Sequence, residues 1–127
     1  MPFQLTARAE NLLRGVTDMD DTIKRLQAFQ AAGADVLYAP GIRSLDDLKT
    51  VTAALERPFN VLASFLPEAS LADLSAAGAA RVSLGAALTW ASVKPLLDAS
   101  REMLEAGTFS WLGNIATGAQ VNALLQD

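Results

Sequence analysis

The chain contains no cysteine and no histidine. Without cysteine it has no disulfide framework, no thiolate nucleophile and no cysteine-type zinc site, a pattern that fits a cytosolic protein. Without histidine, the chain by itself cannot form a Ser-His-Asp or Cys-His triad, a histidine-ligated zinc site or a histidine general base. These absences exclude triad hydrolases and zinc enzymes of those types built from this chain alone.

Basic clusters and long apolar runs are also missing. Ten Lys and Arg stand against fourteen Asp and Glu, a net charge of −4. Because phosphate neutralisation needs clustered basic residues, and these are scattered singly, we expect no nucleic-acid partner and no anionic membrane partner. No apolar run reaches about 18 residues and no signal-peptide pattern opens the chain, so we expect a cytoplasmic protein.

The chain does have the material for a hydrophobic core, since 51% of its 127 residues are hydrophobic. About two-thirds of the unfolded surface is buried at this length, so no disulfide or metal is needed for folding. No linker or low-complexity segment divides it. We therefore predict a single domain over 1–127, with βα units over about 1–85 and helices over 86–127.

A short repeat organises the βα units. Ala31-Ala32-Gly33-Ala34 recurs as Ala76-Ala77-Gly78-Ala79, and each copy precedes a short apolar run. A helix that ends on glycine before a strand is typical of α/β proteins. Strands are predicted over 3–7, 36–38, 59–63 and 82–84. Helices are predicted over 18–32, after capping boxes at Ser44 and Ser70, and over 86–106 with a break or kink near Pro95; Leu71 and Leu74 are predicted to face inward. Further helices are predicted after a Thr108 cap and over 119–125.

Four such units fit two architectures, an open doubly wound sheet or half of a (β/α)8 barrel. The apolar strands suggest burial on both faces of a parallel sheet. Periodicity does not choose between the two. The open sheet is favoured because it is a complete fold, whereas an isolated half-barrel leaves two strand edges bare and one sheet face uncovered.

Polar residues near the carboxyl ends of parallel strands converge on one rim, where ligands bind. The candidates are Arg8 and Glu10 on the first strand, Tyr38 and 40–43 on the second, Asn60 or Ser64 on the third, and Ser83 and Gly85 on the fourth. Arg8 stands out because a guanidinium at a strand end suits a carboxylate or phosphonate. A surface ion pair between Arg8 and Glu10 is an equally good interpretation.

Other residue patterns have structural explanations. The acidic clusters at 18–21 and 46–47 suit the first turns of helices, where the helix dipole favours carboxylates, better than a metal site. The glycines form neither a dinucleotide fingerprint nor a P-loop, so we expect no nucleotide site. Trp90 and Trp111 lie in the C-terminal helices, where core or interface anchors are the expected role.

An ordered series of segments resembles the isocitrate lyase and phosphoenolpyruvate mutase (phosphonomutase) superfamily. The segments are 6–10 (Thr-Ala-Arg-Ala-Glu), 21–25, 32–41, 58–62, 78–85 and 107–109. The resemblance implies the C-terminal half of a (β/α)8 TIM-type barrel. Family members bind Mg²⁺, a Lewis acid, through acidic residues of the other half, so Mg²⁺ is implied for the full-length family and none is expected to be bound by this chain alone.

The resemblance also implies site residues. Arg8 matches the arginine of the family's Ala-Arg-x-Asp/Glu motif, which contacts the substrate's anionic group, and Glu10 matches the acidic position. Asn60 occupies a polar, substrate-facing position. Pro40 replaces the His or Glu of some branches, which favours a lyase or decarboxylase of a small 2-oxo or 2-hydroxy dicarboxylate over a mutase. No catalytic residue is assigned.

Two functions remain open. The chain either carries the substrate-anion wall of a Mg²⁺-dependent carboxylate lyase and is inactive alone, or is a non-catalytic module that self-associates through its bare edges. Self-association would close an eight-stranded barrel or exchange the C-terminal helices. A truncated fragment is a third interpretation, because Met1 and Pro2 directly precede the first predicted strand. The expected partners are a small anionic carboxylate, once the site is assembled, and a second copy or an N-terminal half-barrel.

Overall fold

The protein is described here by a computed structural model that covers residues 3–126. Met1 and Pro2, which the truncation hypothesis uses, lie outside the described residues, as does Asp127. The chain forms two compact units, Met1–Gly85 and Ala86–Asp127. The prediction of one domain over 1–127 stays a prediction.

The first unit alternates strands and helices. Its elements are β1 (Thr6–Arg8), α1 (Met19–Ala31), β2 (Val36–Tyr38), α2 (Leu45–Ala53), β3 (Phe59–Leu62), α3 (Leu71–Ala76) and β4 (Arg81–Ser83), with 3-10 helices at Asn11–Arg14 and Ala63–Phe65. All neighbouring strands pair in parallel, in the order β1-β2-β3-β4. The four predicted parallel βα units are confirmed.

The strand order decides between the two predicted architectures. A doubly wound sheet reverses its strand order at a switch point, whereas this order advances one strand at a time. Because parallel crossovers are right-handed, successive crossovers in one direction place their helices on one face of the sheet. The first unit is therefore barrel-like, and the open doubly wound alternative is wrong.

The core lies between the helices and one face of the sheet. Leu37, Phe59 and Val61 of the strands are buried in one cluster with apolar side chains of the helices, among them Leu26 and Leu48. Burying each large apolar side chain contributes about 1.5–3 kcal/mol. The cluster accounts for the attachment of the helices to this face.

The opposite face of the sheet, the open face, is largely polar. Its strand residues are Thr6, Arg8, Val36, Tyr38, Asn60, Leu62, Arg81 and Ser83. Thr6, Arg8 and Arg81 are exposed, so the expectation of burial on both faces is wrong. Because the apolar runs are only three or four residues long, their composition could not reveal that alternate positions face solvent.

The first strand begins later than predicted. It spans Thr6–Arg8 rather than 3–7, and Phe3 is 83% exposed. The Leu5 backbone N–H donates to the Asp35 carboxylate at 2.8 Å, and the Leu5 carbonyl accepts from the backbone N–H groups of Asp35 and Val36. The chain before Thr6 is thus tied to β2 without extending the paired strand.

The helix starts in this unit follow local capping rules. The Asp18 carboxylate accepts from the Asp21 backbone N–H at 3.0 Å, which confirms that this acidic cluster begins a helix. Ser44 accepts in the same way from Asp47, but only Ser70 and Asp73 form a reciprocal capping box. Leu71, predicted to face inward, is 71% exposed, so that part of the prediction is wrong, whereas Leu74 is buried as predicted.

The repeated glycines end helices. Gly33 and Gly78 have φ angles of 98° and 89°, a left-handed conformation that side chains disfavour. The residue after each glycine, Ala34 or Ala79, donates its backbone N–H to a carbonyl five residues earlier. This pattern is a Schellman motif, and it turns each helix directly into the following strand.

The second unit is helical, with α4 (Ala87–Glu105), a 3-10 helix at Ser110–Asn114 and α5 (Gly118–Leu124). Helix α4 continues through Pro95. The predicted Thr108 cap is wrong, because Phe109 precedes the 3-10 helix and the Glu102 carboxylate, not Thr108, accepts from the Ser110 backbone N–H. Thr117, which the sequence interpretation missed, caps α5.

Trp90 is 67% exposed, so it is not a core residue of this unit. Within the stretch 3–126, no helix is both long and apolar enough to span a membrane.

Candidate functional site

A row of four polar side chains crosses the open face. The row follows the strand register, in which Arg8 pairs with Tyr38, Tyr38 with Asn60, and Asn60 with Arg81. Residues paired in this way point to the same face of a sheet, since side chains alternate along each strand. The row therefore places an arginine at each end and an amide beside the second arginine.

Arg8 lies at the carboxyl end of β1, where two contacts hold its guanidinium. It forms an ion pair with Glu10, and its guanidinium carbon lies 5.2 Å from the centre of the Tyr38 ring. The side chains of Arg8 and Glu10 remain 48% and 42% exposed, so the pair contributes little to stability. The predicted surface ion pair is present, and Arg8 still offers N–H donors to solvent.

Asn60 is 1% exposed, and its amide is bonded within the sheet. Its Oδ1 accepts from Nη1 of Arg81 at 3.1 Å, and its Nδ2 donates to Oγ of Ser83 at 2.9 Å. Ser83 Oγ in turn donates to the Val61 carbonyl at 3.2 Å. Asn60 thus uses both ends of its amide to orient Arg81.

Arg81 is the site residue that sequence reasoning missed. It is the first residue of β4, and it shares the open face with Ser83, two positions later. That spacing in a strand is the only signal in the sequence. This spacing indicates that Arg81 and Ser83 both contact Asn60 only once the register of β3 with β4 is known.

The predicted candidates fall into two groups. Arg8, Glu10 and Tyr38 lie together at the carboxyl end of β1. Asn60 and Ser83 lie together with Arg81, and the register pair of Tyr38 with Asn60 joins the groups. Three strand spacings of about 4.8 Å separate the backbones at the two ends of the row, or about 14 Å. The guanidinium groups lie closer together than the backbones, because Arg8 lies over Tyr38 and Arg81 is bonded to Asn60.

The remaining candidates lie in the loops. Pro40 is fully buried, and Arg43 lies over the ring of Phe65, with 4.7 Å from its guanidinium carbon to the ring centre. Ser64 lies in the 3-10 helix after β3, and Gly85 follows β4 with a φ of 58°. Within residues 3–126, no side-chain hydrogen bond or ion pair joins these residues to Arg8 or Asn60.

A metal ion held by this chain would need several ligating side chains close together. Within residues 3–126, no three His, Cys, Asp or Glu side chains lie together as a metal site requires. Mg²⁺ prefers carboxylate and water oxygens in octahedral geometry. These residues do not fit a Mg²⁺ site of their own.

Comparison with known proteins links this chain to a family. The family model described as phosphoenolpyruvate phosphomutase matches residues 1–104. An oxaloacetate decarboxylase of Bradyrhizobium diazoefficiens is 30% identical over 113 residues, 88% of this chain and 39% of the relative. An oxaloacetate decarboxylase of Rhodopseudomonas palustris strain HaA2 is 40% identical over 67 residues, 53% of this chain and 22% of the relative.

Solved structures show the same relationship. A Burkholderia cenocepacia J2315 protein described as a lyase/mutase superposes with a TM-score of 0.88 at 43% identity, over 100% of this chain and 46% of its own. A 2,3-dimethylmalate lyase of the PEP mutase/isocitrate lyase superfamily shares the fold, with a TM-score of 0.74 at 21% identity, over 97% of this chain and 44% of its own. The chain spans less than half the length of these relatives, and its four βα units correspond to part of their barrel.

Proposed function

Because this chain belongs to the phosphoenolpyruvate phosphomutase family, we propose that it supplies the substrate-anion wall of a lyase active site. The observation that carries the proposal is the position of Arg8, held at the carboxyl end of β1 by Glu10 and Tyr38. In barrel enzymes that end of the strands carries the substrate. A guanidinium in this position binds a carboxylate through two parallel hydrogen bonds.

The substrate class we propose is a small 2-oxo or 2-hydroxy dicarboxylate. Two relatives with at least 30% identity are named oxaloacetate decarboxylase, and oxaloacetate is a 2-oxo dicarboxylate. Arg8 would bind one substrate carboxylate, and Glu10 would fix the guanidinium plane. Asn60 would act through Arg81 rather than by touching the substrate, because its side chain is buried and its amide oxygen accepts from Arg81.

Alone, the chain is expected to be inactive. Electrostatic catalysis needs charges preorganised around one reacting centre. Arg8 supplies a cation for the substrate, but the described side chains supply no carboxylate set for a metal. The metal-binding groups of an assembled site would therefore lie on the part of the related barrels that this chain does not span.

Calorimetric titration with oxalate tests the proposal. The chain is titrated with and without Mg²⁺, first alone and then mixed with the part of the Burkholderia cenocepacia protein that it does not match. We expect Mg²⁺-dependent binding only in the mixture, and its loss in Arg8→Ala. Arg57→Ala is the matched control, since Arg57 precedes β3 at the amino end of the sheet.

Two results would contradict the proposal. One is decarboxylation of oxaloacetate by the purified chain alone at a rate comparable with that of a full-length relative. The other is oxalate binding by the mixture that Arg8→Ala leaves unchanged while Arg57→Ala weakens it. Either result would remove Arg8 from the role of anion-binding residue in an assembled site.

Self-association is the second candidate function, and exposed apolar side chains in the second unit favour it. Leu88, Leu96 and Leu104 of α4 are exposed, as is Trp90. Four large apolar side chains exposed on one helix favour burial against a partner, because large apolar surface left in water marks protein interfaces. Light scattering at micromolar concentration is expected to show a homo-oligomer, and a stable monomer would contradict this candidate.

A further inference from the structure

We propose that Arg81 binds a carboxylate on a separate, acidic half-barrel, and that a second copy of this chain does not cover the open face. The inference rests on the proposed function, because it names the chemistry of the surface that completes the site. It goes further by assigning Arg81 and by choosing between the two expected partners.

Arg81 is held in a fixed orientation. Its side chain is exposed at the start of β4, and Asn60 accepts a hydrogen bond from its Nη1. Asn60 is itself buried and held by Ser83. Across residues 3–126, Arg81 has no acidic side chain within ion-pair distance. The guanidinium is therefore held in place with its charge unpaired.

The small substrate is not the expected partner of Arg81. Arg8 is the last residue of β1, at the carboxyl end of that strand, whereas Arg81 is the first residue of β4, at the amino end. Barrel enzymes bind their substrates at the carboxyl ends of the strands. A substrate bound there by Arg8 leaves Arg81 free for another partner.

Closing the barrel would change the environment of Arg81. The interior of an eight-stranded barrel is filled by layers of side chains, so a surface that completes the sheet would bury Arg81. A buried charge without a partner is strongly unfavourable, whereas a paired and hydrogen-bonded one is tolerated. The completing surface must therefore bring an acidic side chain to Arg81.

The strands of a second copy of the chain would bring no carboxylate to Arg81. The eight strand residues of the open face include Arg8 and Arg81 but no Asp or Glu. Glu10, beyond the end of β1, is already paired with Arg8. A two-fold closed barrel would enclose four arginines and two glutamates, with no carboxylate from the strands for Arg81. Charge complementarity therefore favours a different, acidic half-barrel over a second copy.

The experiment uses the full chain and a defined probe, the part of the Burkholderia cenocepacia protein that the chain does not match. The dissociation constant is measured for the wild type, Arg81→Gln and Arg57→Gln. Glutamine is a neutral hydrogen-bond donor, so Arg81→Gln removes the charge and keeps a polar side chain at this position. Circular dichroism of each variant checks that the fold is kept.

We expect Arg81→Gln to bind the probe at least roughly thirtyfold more weakly than the wild type, as for the loss of one partner of a buried charge pair. Arg57→Gln is expected to bind like the wild type. Equal binding by the wild type and Arg81→Gln would overturn this inference and leave the proposed function standing. No binding by the wild type would overturn both.

Hydrogen exchange of the chain alone tests the choice of partner. If a second copy closed the barrel, the edge strands β1 and β4 would gain protection in the dimer. We expect both edges to exchange rapidly in the chain alone and to become protected when the probe is added. Protected edges in a homodimer would overturn the inference.

Discussion

Replacing Gly78 by alanine should destabilise the first unit far more than the same change at Gly33, although both occupy the same position of the repeat. A Cβ at Gly33 would have no other atom within 4 Å. A Cβ at Gly78 would lie 2.5 Å from Oγ1 and 2.7 Å from Cβ of Thr52. Thr52 cannot simply turn away without loss, because its hydroxyl donates to the Ala77 carbonyl at 2.7 Å.

The expected magnitudes follow from these two environments. Both glycines have a positive φ, and a side chain in that conformation costs about 1–2 kcal/mol. Overpacking adds about 1–3 kcal/mol at Gly78 alone. We therefore expect Gly33→Ala to lower the free energy of unfolding by about 1–2 kcal/mol and Gly78→Ala to lower it by about 2–5 kcal/mol.

Urea denaturation followed by circular dichroism measures both losses. The slope m should be the same for the two variants, so that the midpoints report stability directly. Gly33→Ala serves as the matched control, since it carries the conformational strain without the steric clash. Losses that agree within about 0.5 kcal/mol would refute the steric argument at Thr52.

Two further changes test the core and a helix start. Leu48→Ala should lower the free energy of unfolding by about 2–5 kcal/mol, because Leu48 is fully buried. Leu71→Ala should change it by no more than about 0.5 kcal/mol, because Leu71 is exposed. The same urea titration measures both changes. Hydrogen bonds from Ser70 hold the pKa of Asp73 below its usual value, so the stability they contribute is present above about pH 4 and is lost as the pH falls through the pKa of the folded state. Ser70→Ala should therefore flatten that part of the pH profile of the urea midpoint, and an unchanged profile would contradict the assignment.

Features that depend on neighbouring residues could be predicted from the sequence. Asp18, Ser44 and Ser70 begin helices as expected, because a capping side chain needs only a backbone N–H three residues later. Thr108 is not a cap, because the carboxylate of Glu102, six residues before it, accepts from the Ser110 backbone N–H in its place. Thr108 and Glu102 are alternative acceptors for that N–H group, and the local sequence pattern does not rank them.

The candidate site could be predicted only in part. Arg8 and Glu10 are two residues apart in the chain, so their pairing was foreseen. The role of Asn60 was not, because its partners Arg81 and Ser83 are 21 and 23 residues away and depend on the register of β3 with β4. A shift of one residue in that register would turn the side chains to the other face.

The sequence by itself determined the parallel βα units, their capping residues and the family resemblance, because these rest on local periodicity, turn chemistry and ordered motifs. Only the tertiary structure decided that the helices cover one face of the sheet and that two arginines end a polar row on the other. Strand order and register are set by packing between residues far apart in the chain, through the burial of Leu37, Phe59 and Val61 against the helices. That long-range packing aims Arg8 and Arg81 at the open face.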